Sequence, residues 1–366
     1  MYLQHLTLYN FKNYGEAEFD FEPGANAFVG ANGSGKTNIL DSIYYLCLCK
    51  SFFHSTDSLN IRHNESFFSI AGKFDLEGSN EDIFVGMKAG QKKIVKRNLK
   101  EYSRLSEHIG LLPVVMVAPA DQDLISGSGE ERRKLMDGMI CQFDYTYLDN
   151  LVNYNRILQQ RNAFLKQSYK SNSTDLSLIQ VWDEQLSTYG TRIFEARKEF
   201  IDRFVPVFKK YYTYLTDGNE LVSLNYDSKL HGNSFADLLA SSLSRDRSLQ
   251  YTSTGIHRDD LELLLNNYSV KKIGSQGQQK SFVLAVKLAQ FELMKIAKGL
   301  KPILLLDDIF DKLDLNRITR LMELVSEDTF GQIFITDTNE SHIRSVFETI
   351  NTPLNVFSCS AELNKK

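Results

Sequence analysis

The sequence predicts an α/β fold, a mixed sheet with flanking helices, interrupted by an inserted helical lobe. Three observations carry this. First, an apolar run from Ala25 to Val29 is followed by Gly30-Ala31-Asn32-Gly33-Ser34-Gly35-Lys36-Thr37 and then by an apolar-periodic segment, Asn38 to Leu48. That is the strand, glycine-rich loop and helix of a phosphate-binding P-loop. Second, Ile303-Leu304-Leu305-Leu306 ends in Asp307-Asp308. It reads as a buried parallel strand with charge at its C-terminal end, where ligands collect in open α/β sheets. Third, from about residue 130 to 215 the pattern changes to long helical repeats.

Bulk composition narrows the function classes without choosing among them. The chain has 366 residues, 42% hydrophobic and 24% charged, with a formal net charge of −4. This is ordinary globular composition, enough for two or three lobes. The charge does not announce a nucleic-acid binder, so any DNA contact must come from local patches. Cys47, Cys49, Cys141 and Cys359 lack disulfide-framework or zinc spacing and read as reduced thiols. Met1 to Phe11 is too short and polar for a secretory signal, and no apolar run approaches the length of a membrane span. A cytoplasmic location with no membrane partner is expected.

Taken in order, residues 2–9 alternate as a strand, Asn10 to Gly15 turns the chain, and Ala17 to Phe21 gives a second strand. Phe67 to Leu76 and Asp82 to Met87 are further alternating strands. Met87 to Arg104 is the most basic stretch, with Lys88, Lys92, Lys93, Lys96, Arg97, Lys100 and Arg104 against Glu101. It fits either a hairpin edge guarded by lysines or a DNA contact. Pro113 to Ala118 is a candidate buried strand, and the Gly127-Ser128-Gly129 run before Glu130 suits a helix start.

In the helical region, Tyr147, Leu151, Tyr154, Leu158 and Leu165 recur at heptad-like spacing, with Arg161 interrupting. Trp182, Leu186, Tyr189, Ile193, Ala196, Phe200, Phe204 and Val207 repeat the pattern. Gln167 to Ser177 reads as a polar reversal between them, which makes a short antiparallel coiled coil. The aromatic stripe reads as helix packing. Asp217-Gly218-Asn219 is a turn, Leu221 to Tyr226 a strand, Phe235 to Leu243 a helix and Leu261 to Leu265 another strand.

The chemistry concentrates near both ends. Glycines let successive backbone N–H groups of the loop point at phosphate oxygens. Lys36 should reach the β- and γ-phosphates, and the Thr37 hydroxyl should ligate Mg²⁺. Gly274-Ser275-Gln276-Gly277-Gln278-Gln279 precedes a helix, Lys280 to Lys298, with Phe282, Val286, Ala289, Leu293 and Ile296 on one face. A hydroxyl and a glycine at a helix start make a second anion site. Asp307 should hold Mg²⁺ through its water shell, and Asp308 should orient or deprotonate the attacking water. A further strand, Gln332 to Ile335, ends in Thr336-Asp337-Thr338, where a sensor of the γ-phosphate would sit.

Ser275 to Gln278 resembles the S-x-G-Q signature of ABC-type ATPases, and Lys312-Leu313-Asp314 resembles their D-loop. Lys36 and Ser275 are 239 positions apart, far more than in transporter ATPases. A helical hairpin inside the head instead resembles the structural-maintenance-of-chromosomes and Rad-type repair ATPases. Over its whole length the chain resembles the RecF family of bacterial DNA replication and repair ATPases. The matching pieces are Asn10 to Tyr14, Gly30 to Leu40, Ala118-Pro119 with Asp121, Arg132-Arg133, His257 to Asp260, Gly274 to Lys280, and Asp307 to Asp314. Asp41 stands where the family usually has Glu, Ile256 where it has Pro, and Phe53-His54 follows Lys50-Ser51-Phe52 where the family favours a basic residue. No histidine stands at the switch strand, His342 coming too late, and Gln122 is the candidate Q-loop metal contact.

The resemblance implies an ABC-type ATPase head formed by residues 1–130 and 246–366, with a helical lobe at 131–245. It implies that Ser275, Gly277 and Gln278 act in trans on the ATP held by the partner copy's P-loop, with Mg²⁺ as its cofactor and Asp314 as the D-loop residue. ATP would then drive homodimer assembly, with slow hydrolysis on gapped or junction DNA. In that setting the protein would help load RecA with RecO and RecR, in recombinational repair, replication restart and the SOS response. Two other readings stay open: a P-loop regulator without DNA affinity, and a nucleotide-locked structural tether.

Overall fold

The computed structural model describes residues 1–171, 176–216, 218, 220–309, 315–326 and 329–359. In chain order the first elements are β1 (Tyr2–Phe11), β2 (Tyr14–Asp20), β3 (Ala25–Val29), α1 (Lys36–Leu48), β4 (Phe67–Leu76), β5 (Ser79–Lys88), β6 (Ile94–Arg97), β7 (Lys100–Glu101) and β8 (Val114–Val117). Next come α2 (Asp123–Ser126), α3 (Gly129–Ile140), α4 (Tyr145–Ser171), α5 (Leu176–Thr216), β9 (Val222–Asp227), α6 (Phe235–Leu249), β10 (Asp260–Leu265) and β11 (Tyr268–Ser269). The last are α7 (Val270–Ile273), α8 (Gln276–Lys298), β12 (Ile303–Leu306), α9 (Leu315–Ser326), β13 (Ile333–Asp337), α10 (Glu340–Thr349) and β14 (Leu354–Ser358). The chain divides into one unit of residues 1–122, 211–217 and 276–366, and another of 123–210 and 218–275.

The first unit carries two sheets. One is antiparallel, in the order β2-β1-β4-β5-β6-β7. The other is wholly parallel, in the order β14-β3-β13-β12-β8. Both faces of a parallel sheet are covered, and β3, β8, β12 and β13 accordingly have every residue buried. Helix α1 touches strands of both sheets. Ile39, Leu40, Ile43 and Leu46 are all fully buried, as an apolar helix enclosed on all sides requires. Truncating one of them to Ala should cost about 2–5 kcal/mol.

Helix α8 departs from the expected amphipathic stripe. It starts a turn earlier, and it is buried almost continuously from Ser281 to Met294. Ile296, read as part of its buried face, is exposed, because the helix emerges at its last turn after Met294. The basic stretch splits in two. Arg97 donates to both Glu81 oxygens at 2.7 and 2.6 Å, and Lys93 pairs with Asp57 at 2.8 Å. Lys88, Lys92, Lys100 and Arg104 remain exposed along the hairpin and the β7 edge.

In the second unit, Tyr147, Tyr154, Ile157, Leu165 and Leu186 form the α4–α5 seam, and the Phe164 and Trp182 rings meet at 4.9 Å. Leu151, Leu158 and Tyr189 are only half-buried. Arg161 does not interrupt the seam but lies fully buried in it. It binds Asp183 at 2.6 Å, and Asp246 and Thr252 at 2.8 and 2.9 Å. Arg197 is the second buried cation, held by Asp137 at 2.9 Å and donating to the Ile256 carbonyl at 2.8 Å. Helix α4 runs on to Ser171, through half of the expected reversal, of which residues 172–175 lie outside the described residues.

The motif His257 to Asp260 belongs to this network. Arg132 donates to both Asp260 oxygens at 2.7 and 2.8 Å, and Arg133 donates to the Asp259 carbonyl at 2.5 Å. Tyr226 donates to Asp259 at 2.5 Å. His257 accepts from the Tyr154 hydroxyl at 2.7 Å and donates to the Thr252 carbonyl at 3.0 Å. These residues, singled out by family resemblance, brace the second unit internally.

Candidate nucleotide site

Strand order sets the geometry of the site. β13 lies between β3 and β12, so the loops leaving all three meet at one end of the sheet. The loop after β3 is Gly30 to Gly35, with Ala31, Asn32 and Gly33 exposed at its tip and Ser34, Gly35 and Lys36 buried. Gly33 and Gly35 have φ of 80° and 100°, which a side chain would strain. Gly35 has no room either. A Cβ there would sit 2.5 Å from Asn13 Nδ2 and 2.8 Å from Tyr14 Oη. Gly30 is confined from the other side, a Cβ falling 2.3 Å from the Cys359 carbonyl.

Lys36 opens α1 and folds its ammonium back over the loop, donating to the carbonyls of Gly30 and Ala31 at 2.6 and 3.0 Å. Thr37 donates to Asp307 Oδ1 at 2.9 Å. Thr336, at the end of β13, donates to the same oxygen at 2.8 Å and accepts from the Asp308 N–H at 2.9 Å. Burial raises the Asp307 carboxyl above the usual range, the two threonine hydroxyls pull it back, and the charge of Asp308 pushes it up again. Asp308 has φ of 51°, a left-handed backbone that Asp tolerates better than most side chains. Asp337 holds the Asn339 N–H at 2.8 Å, and His342 Nδ1, from the following helix, lies 3.4 Å from its other oxygen.

Gln122 donates to Gln279 Oε1 at 2.6 Å. With Gln276, Lys280, Asp307 and Asp308 they line a cavity of about 380 Å³. The adjoining Asp121 is buried, which raises its carboxyl, and it is bound by Lys287 of α8 at 2.5 Å. Ser275 is exposed immediately before α8, and Gly277 and Gln278 form the first turn of that helix. Asp314 lies outside the described residues.

The oxygens of Thr37 and Asp307 are hard donors of the kind Mg²⁺ takes, few enough that phosphate and water would complete the set. The glycine loop and the α1 N-terminus present backbone N–H groups to an anion. The donor set therefore fits a magnesium–nucleoside triphosphate. Two contributors escaped sequence reasoning. Asn13 and Tyr14 pack on Gly35, and Asn13 also accepts from Asn38 at 2.6 Å. Only their place in the Asn10-to-Tyr14 match signalled them, since nothing local ties a turn to a loop twenty residues on.

Residues 2–362 match the family described as RecF/RecN/SMC N terminal domain. The DNA replication and repair protein RecF of Flavobacterium johnsoniae is 45% identical over 358 residues, covering 98% of this chain and 100% of the relative. That of Parabacteroides distasonis is 47% identical over 351 residues, covering 96% and 95%. Among solved structures, the recombination mediator protein RecF-ATPrS of the RecFOR pathway superposes with a TM-score of 0.88 at 28% identity, covering 98% and 96%. The Smc head bound to the C-winged helix domain of ScpA, at 18% identity and a TM-score of 0.55 with 94% and 92% covered, shares the fold. With agreement of this kind running from end to end, the chain belongs to the RecF family of DNA replication and repair proteins and has the fold of an ABC-type ATPase head.

Proposed function

We propose that this protein is an ATP-hydrolysing, DNA-binding switch of recombinational repair and replication, active as an ATP-driven homodimer. The observation that carries the reading is the meeting of Thr37, Asp307 and Thr336 on one carboxylate oxygen, at 2.9 and 2.8 Å, beside the glycine loop. ATP is the nucleotide, in keeping with relatives solved as RecF-ATPrS and RecF-ATP. Residues Gly30 to Thr37 would cradle its phosphates, and Lys36 would exchange its carbonyl partners for phosphate oxygens. Thr37 and Asp307, with Gln122, would hold Mg²⁺, which neutralises phosphate charge when bound. Asp308 would orient the attacking water. Catalysis of this type is positional and electrostatic.

Ser275, Gly277 and Gln278 would close on the nucleotide of the partner copy, together with Asp314. Neither site is then complete in a monomer, which suits slow turnover gated by assembly. The exposed cations Lys88, Lys92, Lys100 and Arg104 are the candidate DNA contact. RecO and RecR are the partners, in keeping with the RecFOR pathway of the solved relatives, and the protein would act with them at gapped or junction DNA in the cytoplasm to help load RecA. The test is single-turnover hydrolysis with and without gapped DNA, for wild type and Asp308→Asn. The reading expects DNA-stimulated hydrolysis in wild type only, with ATP and salt-sensitive DNA binding kept in both. A variant that hydrolyses as wild type does would remove Asp308 from the chemistry, and absence of DNA binding would remove the repair role.

A further inference from the structure

The first turn of α8 is held by a cation from a different helix. Arg317 of α9 donates from Nε to the Ser281 hydroxyl at 2.5 Å. Ser281 in turn donates to the Gly277 carbonyl at 3.1 Å. The Nη edge of the guanidinium is turned toward the bare face of Gly277, where a Cβ would be 3.4 Å from Nη2, 3.5 Å from Nη1 and 3.8 Å from Cζ. Ser281 is fully buried; its one O–H is committed to Gly277 and one acceptor position to Arg317. Helix α9 begins at Leu315, immediately after Asp314 in the chain. One planar cation thus ties the helix that follows the D-loop stretch to the turn that carries the signature.

We propose that Arg317 is a positioning residue for the signature turn, fixing Gly277 and its neighbours in the geometry that receives the partner copy's triphosphate. This rests on the reading of the signature as acting in trans. A planar guanidinium suits the task better than a flexible ammonium, since Nε donates to Ser281 while the rigid Nη edge packs beside Gly277. The clamp also means that the signature turn and the start of α9 respond together when phosphate arrives. Arg317 acts through Ser281 and Gly277, so its loss should weaken assembly while sparing nucleotide capture by the glycine loop.

The experiment measures the dissociation constant of the ATP-loaded dimer by sedimentation, and the ATP affinity of the monomer by titration with a fluorescent ATP analogue. It compares wild type, Arg317→Ala, Arg317→Lys, Ser281→Ala and Ser275→Arg. The expected result for Arg317→Ala is a dimer weakened at least tenfold with monomer ATP affinity within twofold of wild type. Ser281→Ala should weaken the dimer at least threefold, and Arg317→Lys should stay within threefold of the alanine variant. Full recovery in Arg317→Lys, or wild-type assembly in both Arg317→Ala and Ser281→Ala, would overturn the proposal. Should Arg317→Ala also lose ATP affinity, as a misfolded variant would, Ser281→Ala decides. Loss of assembly in Ser275→Arg alone would sink the clamp but keep the trans signature. Wild-type assembly in Ser275→Arg would sink the reading beneath it.

Discussion

Replacing Thr336 with Val keeps the shape of the β13 end and removes one hydroxyl that does two things. It donates to Asp307 Oδ1 at 2.8 Å and accepts from the Asp308 N–H at 2.9 Å, and it is 1% exposed. A hydrogen bond to a charged group is worth about 1.5–3 kcal/mol. Asp307 is raised by burial and lowered by the Thr336 and Thr37 hydroxyls, so the variant raises it further. The sign follows from the direction. A carboxyl raised in the folded state contributes stability below its unfolded value and loses it as pH rises through its folded value. In the variant that loss comes at higher pH, and near neutrality the protein is less stable by about 1.5–3 kcal/mol. If Asp307 holds Mg²⁺ as proposed, its ionised carboxylate is the form required, and the acid limb of Mg²⁺-dependent hydrolysis should move up by about one pH unit for each 1.4 kcal/mol lost. The assay is the pH profile of hydrolysis beside urea melts of the free protein. An acid limb superimposed on wild type, with stability alone reduced, would refute the link between Thr336 and Asp307.

In the second unit, Arg161→Ala leaves Asp246 buried without its cation and should cost about 3–5 kcal/mol by urea denaturation, with Arg161→Met costing less. A loss below about 1 kcal/mol would mean water replaces the guanidinium. Burial pushes the His257 imidazole down to about 4. A base depressed in the folded state contributes stability above its unfolded value of about 6.5 and loses it as pH falls towards the folded value. His257→Gln should therefore flatten the decline of stability over that window, and an unchanged slope would place the acid sensitivity elsewhere.

What the sequence made legible, and what it hid, divides along one physical line. The loop from Gly30 to Thr37 and the strand ending at Asp307 are readable because each packs its chemistry into a few consecutive residues. Their meeting through Thr336 is not, since it depends on β13 lying between β3 and β12. Arg161 looked like a break in a heptad seam because its partners lie 22, 85 and 91 residues away. Arg197 carries no local signal for the same reason, its Asp137 partner being 60 residues distant. The enclosure of α8 is not legible in its sequence, because periodicity distinguishes one buried stripe from none, but not one from several. Arg317 carried no local signal, as its target Ser281 is 36 residues earlier on another helix.

The central claim is that each triphosphate is completed by a second copy. Mixing Lys36→Met with Ser275→Arg tests it directly by sedimentation velocity in Mg²⁺-ATP. On this account Lys36→Met should keep a signature but lose nucleotide and Ser275→Arg should keep nucleotide but lose the signature, so a pair of them would hold one intact composite site. Each variant alone should sediment as monomer and the equimolar mixture as a one-to-one dimer. Dimerisation of either variant by itself, or a mixture that stays monomeric, would contradict the account.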